Sequence, residues 1–581
     1  MMKKWLSDKY FILWKTFGNR EFESEEAIKI LKETNQLEEE RGINVIFAEF
    51  KKLDLIEILP NPNDSRKVLY KLKPIIKVKE LKVKELTKDE LIGILKKAAD
   101  IIRTRVSYEF ILILLFLKRL SDKWLEEYER TVEMLKKKGM SEEEAKEEAK
   151  DPNWHEGIDF PEELLWENLR KETIRLPEKL SQLLKALVER NPDLKDIFER
   201  ADFMQFASNP ESKEILRQLI EVLSEKRFWN VSPDILGDAY EWIISYFAPQ
   251  KAKEGEVYTP REVVKLMVKI LEPKPEESIY DPALGSGGML IFSYIHLKEK
   301  NEKEARKLFL FGQEVNPLSL AIAKMNLIIH DISDANLALG DTLLYPRFKE
   351  NGELKKFDVV VTNIPWNQDG YGEETLKKGE LWSKRFFFGF PPRQSADWAW
   401  MQHIVASMKD DGRAAVVVDN GCLFRGGKEK AIRAQVLEKD LIEAVILLPE
   451  KLFYNTGAPG AIIILRKNKP QKRKGKILFI NASQEYEKHP EVRKLNRLGE
   501  KNIDKIVQVY KTFGEVDGIS RVVSLDEIKE NDYNLNVTLY VFPEEKEEEI
   551  DVNAELRELS RIEAELKEIN KKIEGFLNEL G

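Results

Sequence analysis

Asn363, Ile364, Pro365 and Trp366 stand together at the end of an apolar run that is typical of a buried strand. The Asn363 amide can both donate and accept hydrogen bonds, and Trp366 offers an aromatic face. Pro365 biases the residue before it towards an extended backbone. These four residues raise the question of which ligand would bind at the carboxyl end of this strand.

A second candidate site follows an earlier strand in the segment SIYDPALGSGGML. Asp281 ends the strand, and the turn into the next helix contains Gly285, Ser286, Gly287 and Gly288. Glycines at such a turn let the backbone approach a ligand with no side chain in between. The turn alone is shared by many nucleotide-binding folds.

Two carboxylates follow the next strands. Glu314 ends LFLFGQE, where a carboxylate can accept hydrogen bonds from both hydroxyls of a ribose. Asp341, in LALGDTLL, could accept from an adenine amino group. A nicotinamide dinucleotide site needs G-x-G-x-x-G, and GSGGML has no third glycine at that spacing.

This ordered set resembles the S-adenosylmethionine-dependent methyltransferases. The resemblance implies that the glycine turn holds the methionine part of the cofactor, Glu314 its ribose and Asp341 its adenine. The segment GEVYTPREVVKLMV is similar to the one that precedes the glycine motif in amino-methyltransferases of DNA. It implies that Tyr258, Thr259 and Pro260 line the methionine end.

NIPW resembles the N-P-P-[F/Y/W] signature of amino-methyltransferases, with Ile364 in place of the first proline. An exocyclic amine such as adenine N6 is a poor nucleophile because its lone pair is delocalised into the ring. The resemblance implies that the Asn363 side-chain oxygen and the carbonyl of residue 364 accept its hydrogens and favour a tetrahedral nitrogen. Trp366 would stack on a base flipped out of the duplex. Ile364 keeps the carbonyl, so its presence is expected to cost rigidity rather than the mechanism, with a catalytically weakened protein as the alternative.

The segments that must position these residues alternate between strand-like and helical patterns from about 250 to 470. Such alternation predicts a doubly wound α/β sheet. We assign it to a catalytic domain of residues 246–480 and expect a C-terminal helical extension over 481–550. Residues 85–245 have helical periodicity and form a helical domain.

The N-terminal segment, residues 1–78, is predicted to contain three helices followed by a hairpin and resembles a winged-helix domain. Two interpretations stay open for it: DNA contact through the third helix and the wing, or docking and dimerisation. The basic residues there form only a modest set: Arg41, Lys51, Lys52, Arg66 and Lys67.

The last segment, residues 551–581, carries a heptad pattern typical of a coiled-coil helix. The two seam positions are filled by apolar residues: Leu559, Leu566, Ile573 and Leu580 in one, Ile562, Ile569 and Phe576 in the other. One helix cannot bury such a seam alone. It either folds back on its own chain or, as we favour, pairs with another protein.

From about residue 85 onwards the chain resembles the modification (M) subunits of Type I restriction–modification systems, which are adenine-N6 DNA methyltransferases. The segments LLFLKRLSDKW, SADWAWMQHIVASMKDDGRAAVVVDNGCLFRGGKEKAIR and LPEKLFYNTGAPGAIIIL carry the resemblance. It implies double-stranded DNA as substrate and a separate specificity (S) subunit, bound through the C-terminal helix. A second M subunit and a restriction (R) subunit are further expected partners. The chain after Leu465 is too short for a domain that reads a bipartite site, which agrees with a separate S subunit.

Composition limits the classes of protein to which this chain can belong. The net charge of −8 excludes a polybasic nucleic-acid coat. A single cysteine, Cys422, and five histidines without metal spacing predict no metal site. The N-terminus lacks the features of a signal peptide, so a cytoplasmic protein without membrane spans is expected. The abundance of Lys and Glu is typical of thermophiles. The alternative functions are a protein-glutamine or RNA amino-methyltransferase, or a non-catalytic DNA-binding relative.

Overall fold

The structure is a computed structural model, and the residues it describes form a nearly continuous set from 4 to 542 with a few helical positions beyond. They are 4–18, 20–34, 42–52, 55–60, 68–72, 86–102, 106–155, 158–172, 174–198, 201–228, 231, 233–251, 259–332, 334–453, 458–489, 495–542, 560–562, 566–567 and 569.

The N-terminal unit combines three helices with a small antiparallel sheet. Its elements are α1 (Lys4–Phe17), β1 (Glu21–Phe22), α2 (Ser24–Glu33), α3 (Gly42–Lys52), β2 (Ile56–Pro60) and β3 (Val68–Leu72). The strand order is β1-β3-β2. Aromatic side chains fill its core, among them Phe17 stacked on Phe22 with ring centroids 4.1 Å apart. The helices and hairpin expected from the sequence are present.

A helical domain follows. Its α-helices are α4 (Lys88–Ile102), α5 (Glu109–Lys137), α6 (Glu142–Glu148), α7 (Trp166–Lys171), α8 (Leu176–Arg190), α9 (Lys195–Phe198), α10 (Pro210–Leu223) and α11 (Pro233–Lys251). Short 3-10 turns lie at Pro152–Trp154, Glu162–Leu164, Pro192–Leu194 and Phe203–Ala207. The segment LLFLKRLSDKW lies in α5, where Lys118 and Asp122 form a buried ion pair of 2.6 Å. Asp122 also accepts from the backbone N–H of Phe228 at 2.7 Å and so ties α5 to the chain leading to α11.

The domain predicted to be catalytic is built on a nine-stranded sheet. Its strands are β4 (Ser278–Asp281), β5 (Phe309–Glu314), β6 (Asn336–Leu339), β9 (Phe357–Asn363), β10 (Met408–Asp419), β11 (Ile442–Leu447), β12 (Gly460–Arg466), β13 (Lys476–Asn481) and β16 (Ser520–Ser524). Two small hairpins, β7 (Lys349–Glu350) with β8 (Glu353–Leu354) and β14 (Glu487–Lys488) with β15 (Asn496–Arg497), lie outside it.

Helices cover both faces of this sheet. They are α12 (Arg261–Leu271), α13 (Gly288–Lys298), α14 (Glu302–Ala305), α15 (Pro317–Ile329), α16 (Glu373–Leu376), α17 (Trp382–Arg385), α18 (Asp397–Ser407), α19 (Gly427–Glu438), α20 (Glu500–Thr512) and α21 (Leu525–Glu530), with 3-10 turns at Asn420–Leu423, Gln471–Arg473 and Val537–Leu539. Val359 and Val361 point into one core and Val360 into the other. The doubly wound α/β sheet expected from the sequence is therefore confirmed.

The strand order is β16-β13-β11-β12-β10-β9-β4-β5-β6. Strands β6, β5, β4, β9 and β10 are parallel, and β12 is antiparallel to both of its neighbours. The order reverses between β4 and β9, and an open α/β sheet binds ligands beyond the carboxyl ends of its strands at such a point.

The segment 481–550 differs from the helical extension expected for it. Strand β16 pairs antiparallel with β13, and α20 packs its apolar face into the core beside α12. Strand β16 is only five residues long and buries Ser520 and Val523 without the alternation of a half-buried strand, so its signal does not stand out between two helices. The described part of this segment therefore extends the catalytic sheet.

None of the described helices has the length and apolar composition that a bilayer crossing requires.

Candidate active site

The sheet brings the predicted site residues together at the carboxyl ends of its parallel strands. Asp281, Glu314 and Asn363 are the last residues of β4, β5 and β9, and Asp341 comes shortly after β6. These four strands are neighbours in the sheet and run parallel. Their carboxyl ends therefore place an amide and three carboxylates around the point where the strand order reverses.

The glycine turn after β4 has a backbone that a ligand could approach closely. Gly285 and Gly287 have positive φ angles of 54° and 83°, which non-glycine residues adopt with strain. A Cβ built on Gly285 or Gly288 would meet no atom within 4 Å. The backbone of the turn thus borders open space that a ligand can occupy.

Asp281 is buried behind this turn. Its Oδ1 accepts from the Thr362 hydroxyl at 2.7 Å and from the backbone N–H of Ala283 at 3.1 Å. Its buried Oδ2 accepts no hydrogen bond from the described residues. Burial raises the pKa of Asp281 to about 7, against the lowering effect of these two donors. A carboxylate held in this way is stabilised by a nearby cation.

Glu314 is joined to the glycine turn. Its two carboxylate oxygens accept from the backbone N–H of Gly285 at 2.8 Å and of Asn316 at 2.7 Å. These bonds fix the carboxylate beside the open space that borders the glycine turn. The next side chain, Val315, is 61% exposed and adds an apolar surface there.

Asp341 is held by three donors. Its Oδ1 accepts from the backbone N–H groups of Leu343 at 2.9 Å and Leu344 at 3.1 Å. Its Oδ2 accepts from the Tyr371 hydroxyl at 2.7 Å. Sequence reasoning missed Tyr371, because it belongs to the long connection after NIPW and carries no local motif.

Asn363 is clamped on both sides of its amide. The side-chain Nδ2 donates to the Thr259 hydroxyl at 2.9 Å, and Oδ1 accepts from the Trp366 indole N–H at 3.0 Å. Two predicted groups, the segment before the glycine motif and NIPW, therefore touch each other. The oxygen of an amide has two lone pairs, so Oδ1 keeps the capacity for one more hydrogen bond.

The remaining residues of NIPW pack inward. Ile364 is fully buried. Trp366 is partly buried and meets Phe453 edge to face, with ring centroids 4.9 Å apart. A Cβ on Gly460 would lie 2.7 Å from the Phe453 ring and 3.1 Å from the Trp366 ring. The glycine therefore makes room for this aromatic pair.

A buried charge cluster supports the loop after NIPW and was not foreseen. Asp397 accepts from the backbone N–H of Asn367 at 3.0 Å and pairs with Arg425. Arg425 also bonds Asp419 at 2.9 Å and Glu429 at 2.7 Å. Burial raises the pKa of Asp397 to about 6, while Arg425 opposes the rise. The segment SADWAWMQ contained the signal, an acid at the first position of a largely apolar helix.

The other candidate residues have simpler surroundings. Pro260 is buried and precedes α12, and the Ser286 carbonyl accepts from the Asn326 side chain at 3.1 Å. Tyr258 lies outside the described residues. Burial raises the pKa of the Cys422 thiol, so this cysteine is kept protonated. No cluster of potential metal ligands occurs within the described ranges.

Two family models match the chain over most of its length. The "N-6 DNA Methylase" model matches residues 231–549, and the "HsdM N-terminal domain" model matches residues 93–223. The first match covers α11 and the sheet domain, including β16, and the second covers most of the helical domain.

Curated relatives and solved structures agree with these matches. The Type I restriction enzyme MjaVIII methylase subunit of Methanocaldococcus jannaschii is 45% identical over 98% of this chain and 97% of its own. The MjaVII methylase subunit of the same organism is 43% identical over 99% of this chain and 97% of its own. The type I restriction–modification methyltransferase subunit from Streptococcus thermophilus is similar in structure, with a TM-score of 0.67 and 28% identity, over 78% of this chain and 100% of its own.

Proposed function

Because this chain belongs to the methylase (M) subunits of Type I restriction–modification systems, which transfer a methyl group to adenine N6 in DNA, we propose that the cleft at the carboxyl ends of β4, β5, β6 and β9 is the site of that transfer. The observation that carries this proposal is the clamped amide of Asn363, which lies at the strand-order reversal beside the glycine turn. The enzyme is an N6-adenine-specific DNA methyltransferase.

Membership of the S-adenosylmethionine-dependent methyltransferases makes S-adenosylmethionine the methyl donor. The cleft fits it. The glycine turn borders open space, and Asp281 presents a buried carboxylate oxygen without a donor among the described residues. Bound S-adenosylmethionine supplies an electrophilic methyl group on a sulfonium. We assign its methionine end to Thr259, Pro260, Asp281 and the glycine turn 285–288, with Tyr258 as a further candidate, its ribose to Glu314 and its adenine to Asp341.

The residues of NIPW supply positioning and hydrogen-bond acceptors. Oδ1 of Asn363 and the main-chain carbonyl of Ile364 accept the two hydrogens of the target amine, which increases the tetrahedral character of its nitrogen. Pro365 keeps the carbonyl of Ile364 in an extended backbone. Trp366 stacks on the flipped base, and stacking of this kind contributes about 1–3 kcal/mol per base.

The test is methyl transfer by Asn363→Ala. Loss of one preorganised hydrogen-bonding group typically lowers a rate about 10²–10³-fold. We expect that loss in single-turnover transfer of a tritiated methyl group to DNA in the presence of the specificity partner. Calorimetry should show unchanged affinity for S-adenosylmethionine. A fully active variant would contradict the mechanism.

Glu314→Ala tests the cofactor site separately. It removes the proposed ribose acceptor and two bonds that fix the turn, so S-adenosylmethionine should bind at least tenfold more weakly. Affinity equal to that of the wild type would show that the cofactor lies elsewhere.

The N-terminal unit is proposed to be a winged helix. The order helix, strand, helix, helix, strand, strand and the sheet order β1-β3-β2 support this. The described residues of α3 carry two exposed lysines, of which Lys52 pairs with Glu49 at 2.5 Å, whereas Val45 is 59% exposed. A lysine paired with a glutamate and an exposed valine on α3 favour docking of a protein there over contact with DNA phosphates.

The C-terminal heptad segment is proposed to bind the specificity subunit as a coiled-coil helix. Its described seam residues are helical and more than half exposed: Ile562 at 51%, Leu566 at 58% and Ile569 at 54%. Apolar side chains that are this exposed favour a partner protein that covers them. The chain acts as one subunit of a Type I assembly, in which we expect a second M subunit and a restriction subunit.

A further inference from the structure

Helix α15 has two apolar faces that belong to different cores. One face packs against the sheet through Leu320, Ala323 and Leu327. The other packs into the helical domain through Ile322, Met325 and Ile329. The helix is thus shared by the two domains and contacts α5, α9 and α11 as well as β5 and β6.

The glycine turn rests on this shared helix. The Asn326 side chain is fully buried, and its Nδ2 donates to the main-chain carbonyl of Ser286 at 3.1 Å. One turn earlier on α15, the Ala323 side chain lies 3.4 Å from where a Cβ on Gly287 would stand. The backbone of residues 286–287 therefore leans on α15 through one hydrogen bond and one close contact.

Asn326 is an unusual residue to place there. Its Oδ1 is buried and accepts no hydrogen bond from the described residues. A buried acceptor of this kind costs free energy, and an apolar residue would avoid that cost. Stability alone therefore does not account for the asparagine.

The far end of α15 is fixed by the helical domain. The imidazole of His330, the residue that follows α15, is buried against Gly237 of α11. A Cβ on Gly237 would stand 1.9 Å from His330 Nε2. A side chain at position 237 would therefore displace the His330 ring or move α11 away from α15.

We propose that Asn326 is a positioning residue for the cofactor turn and that α15 transmits the packing of the helical domain to that turn. This rests on the proposed function, because it takes the turn 285–288 as the cofactor site. The amide of Asn326 holds the Ser286 carbonyl away from the cleft, and the register of α15 against α11 sets where that amide lies.

The first test compares Asn326→Leu with Ile329→Val on the same helix. The leucine variant removes the donor to Ser286, whereas Ile329→Val trims one methyl group from the helical-domain face. Calorimetry on the full chain should give S-adenosylmethionine binding about tenfold weaker for Asn326→Leu and within twofold of wild type for Ile329→Val. Asn326→Ser repeats the test if the leucine variant fails to fold.

Steady-state kinetics supply the readout that a purely structural role would not move. The KM for S-adenosylmethionine should rise about tenfold in Asn326→Leu, with kcat at saturating cofactor within twofold of wild type. Folded Asn326 variants with wild-type affinity would overturn the positioning role. If Glu314→Ala binds weakly while these variants bind normally, only this inference fails. If Glu314→Ala also binds normally, the proposed cofactor site fails.

The second test is a rescue. Gly237→Ala introduces the clash with His330, and His330→Ala removes the ring that it meets. We expect Gly237→Ala to weaken cofactor binding about fivefold and the double variant to return to within twofold of wild type. Unchanged affinity in Gly237→Ala, or a double variant as weak as the single one, would overturn transmission through α15.

Discussion

Trp366→Phe separates the two roles that we propose for the tryptophan in NIPW. Phenylalanine keeps an aromatic face for stacking on the flipped base but has no N–H group. The variant therefore loses the 3.0 Å hydrogen bond from the indole to Asn363 Oδ1. That bond and the 2.9 Å bond to Thr259 fix which way the Asn363 amide points.

The expected magnitude follows from one neutral hydrogen bond. Its net contribution is about 0.5–1.5 kcal/mol, and lost in full from the transition state this lowers the rate about 2–12-fold. The decrease is thus smaller than the loss expected for Asn363→Ala, because the acceptor itself remains. The affinity for S-adenosylmethionine should not change, since Trp366 is assigned to the base and not to the cofactor.

Single-turnover methyl transfer to DNA with the specificity partner present is the assay. Thr259 provides a matched pair for the other side of the amide: Thr259→Ser keeps the hydroxyl that accepts from Asn363, and Thr259→Val removes it. The valine variant should be slower than the serine variant by a similar factor. A Trp366→Phe enzyme at the wild-type rate would refute the orienting role. A faster one would show that the indole N–H competes with the target amine for Oδ1.

Two further predictions concern the site, and a third concerns the heptad segment. Burial raises the pKa of Asp281 from its ordinary 3.8 to about 7, so the stability that this group contributes is fully present below the unfolded value and is lost as the pH rises through 7. Thermal unfolding should therefore show Asp281→Asn gaining stability relative to wild type between about pH 4 and 7. Parallel curves over that range would contradict this. Tyr371→Phe removes a 2.7 Å hydrogen bond to Asp341. Calorimetry should therefore show S-adenosylmethionine bound about 2–12-fold more weakly. Unchanged affinity would show that Asp341 needs no support from Tyr371. Truncation before Val552 should leave cofactor affinity intact but abolish co-purification with a specificity subunit, and full recovery of the complex would show that the heptad segment is not the contact.

The strands and the residues at their ends could be predicted because both signals are local. The apolar runs that end at Asp281, Glu314 and Asn363 each bury a strand, and polar residues mark where it stops. The side-chain contacts of the site could not be predicted in the same way. Thr259 meets Asn363 across 104 positions of sequence, and Tyr371 meets Asp341 across 30. Such pairs depend on how connections cross the sheet edge, which no local periodicity encodes.

The predicted boundary between residues 245 and 246 marks a change of sequence pattern rather than a gap between independent units. Helix α11 (Pro233–Lys251) runs through it without a break. Helix α15 has the sequence PLSLAIAKMNLII, which is apolar around nearly its whole circumference. A helix of that kind must be covered on every side, and the sheet covers only one. Removal of the helical domain would expose Ile322, Met325 and Ile329 beside the glycine turn. The sheet therefore relies on the helical domain to cover α15, the helix against which the glycine turn packs.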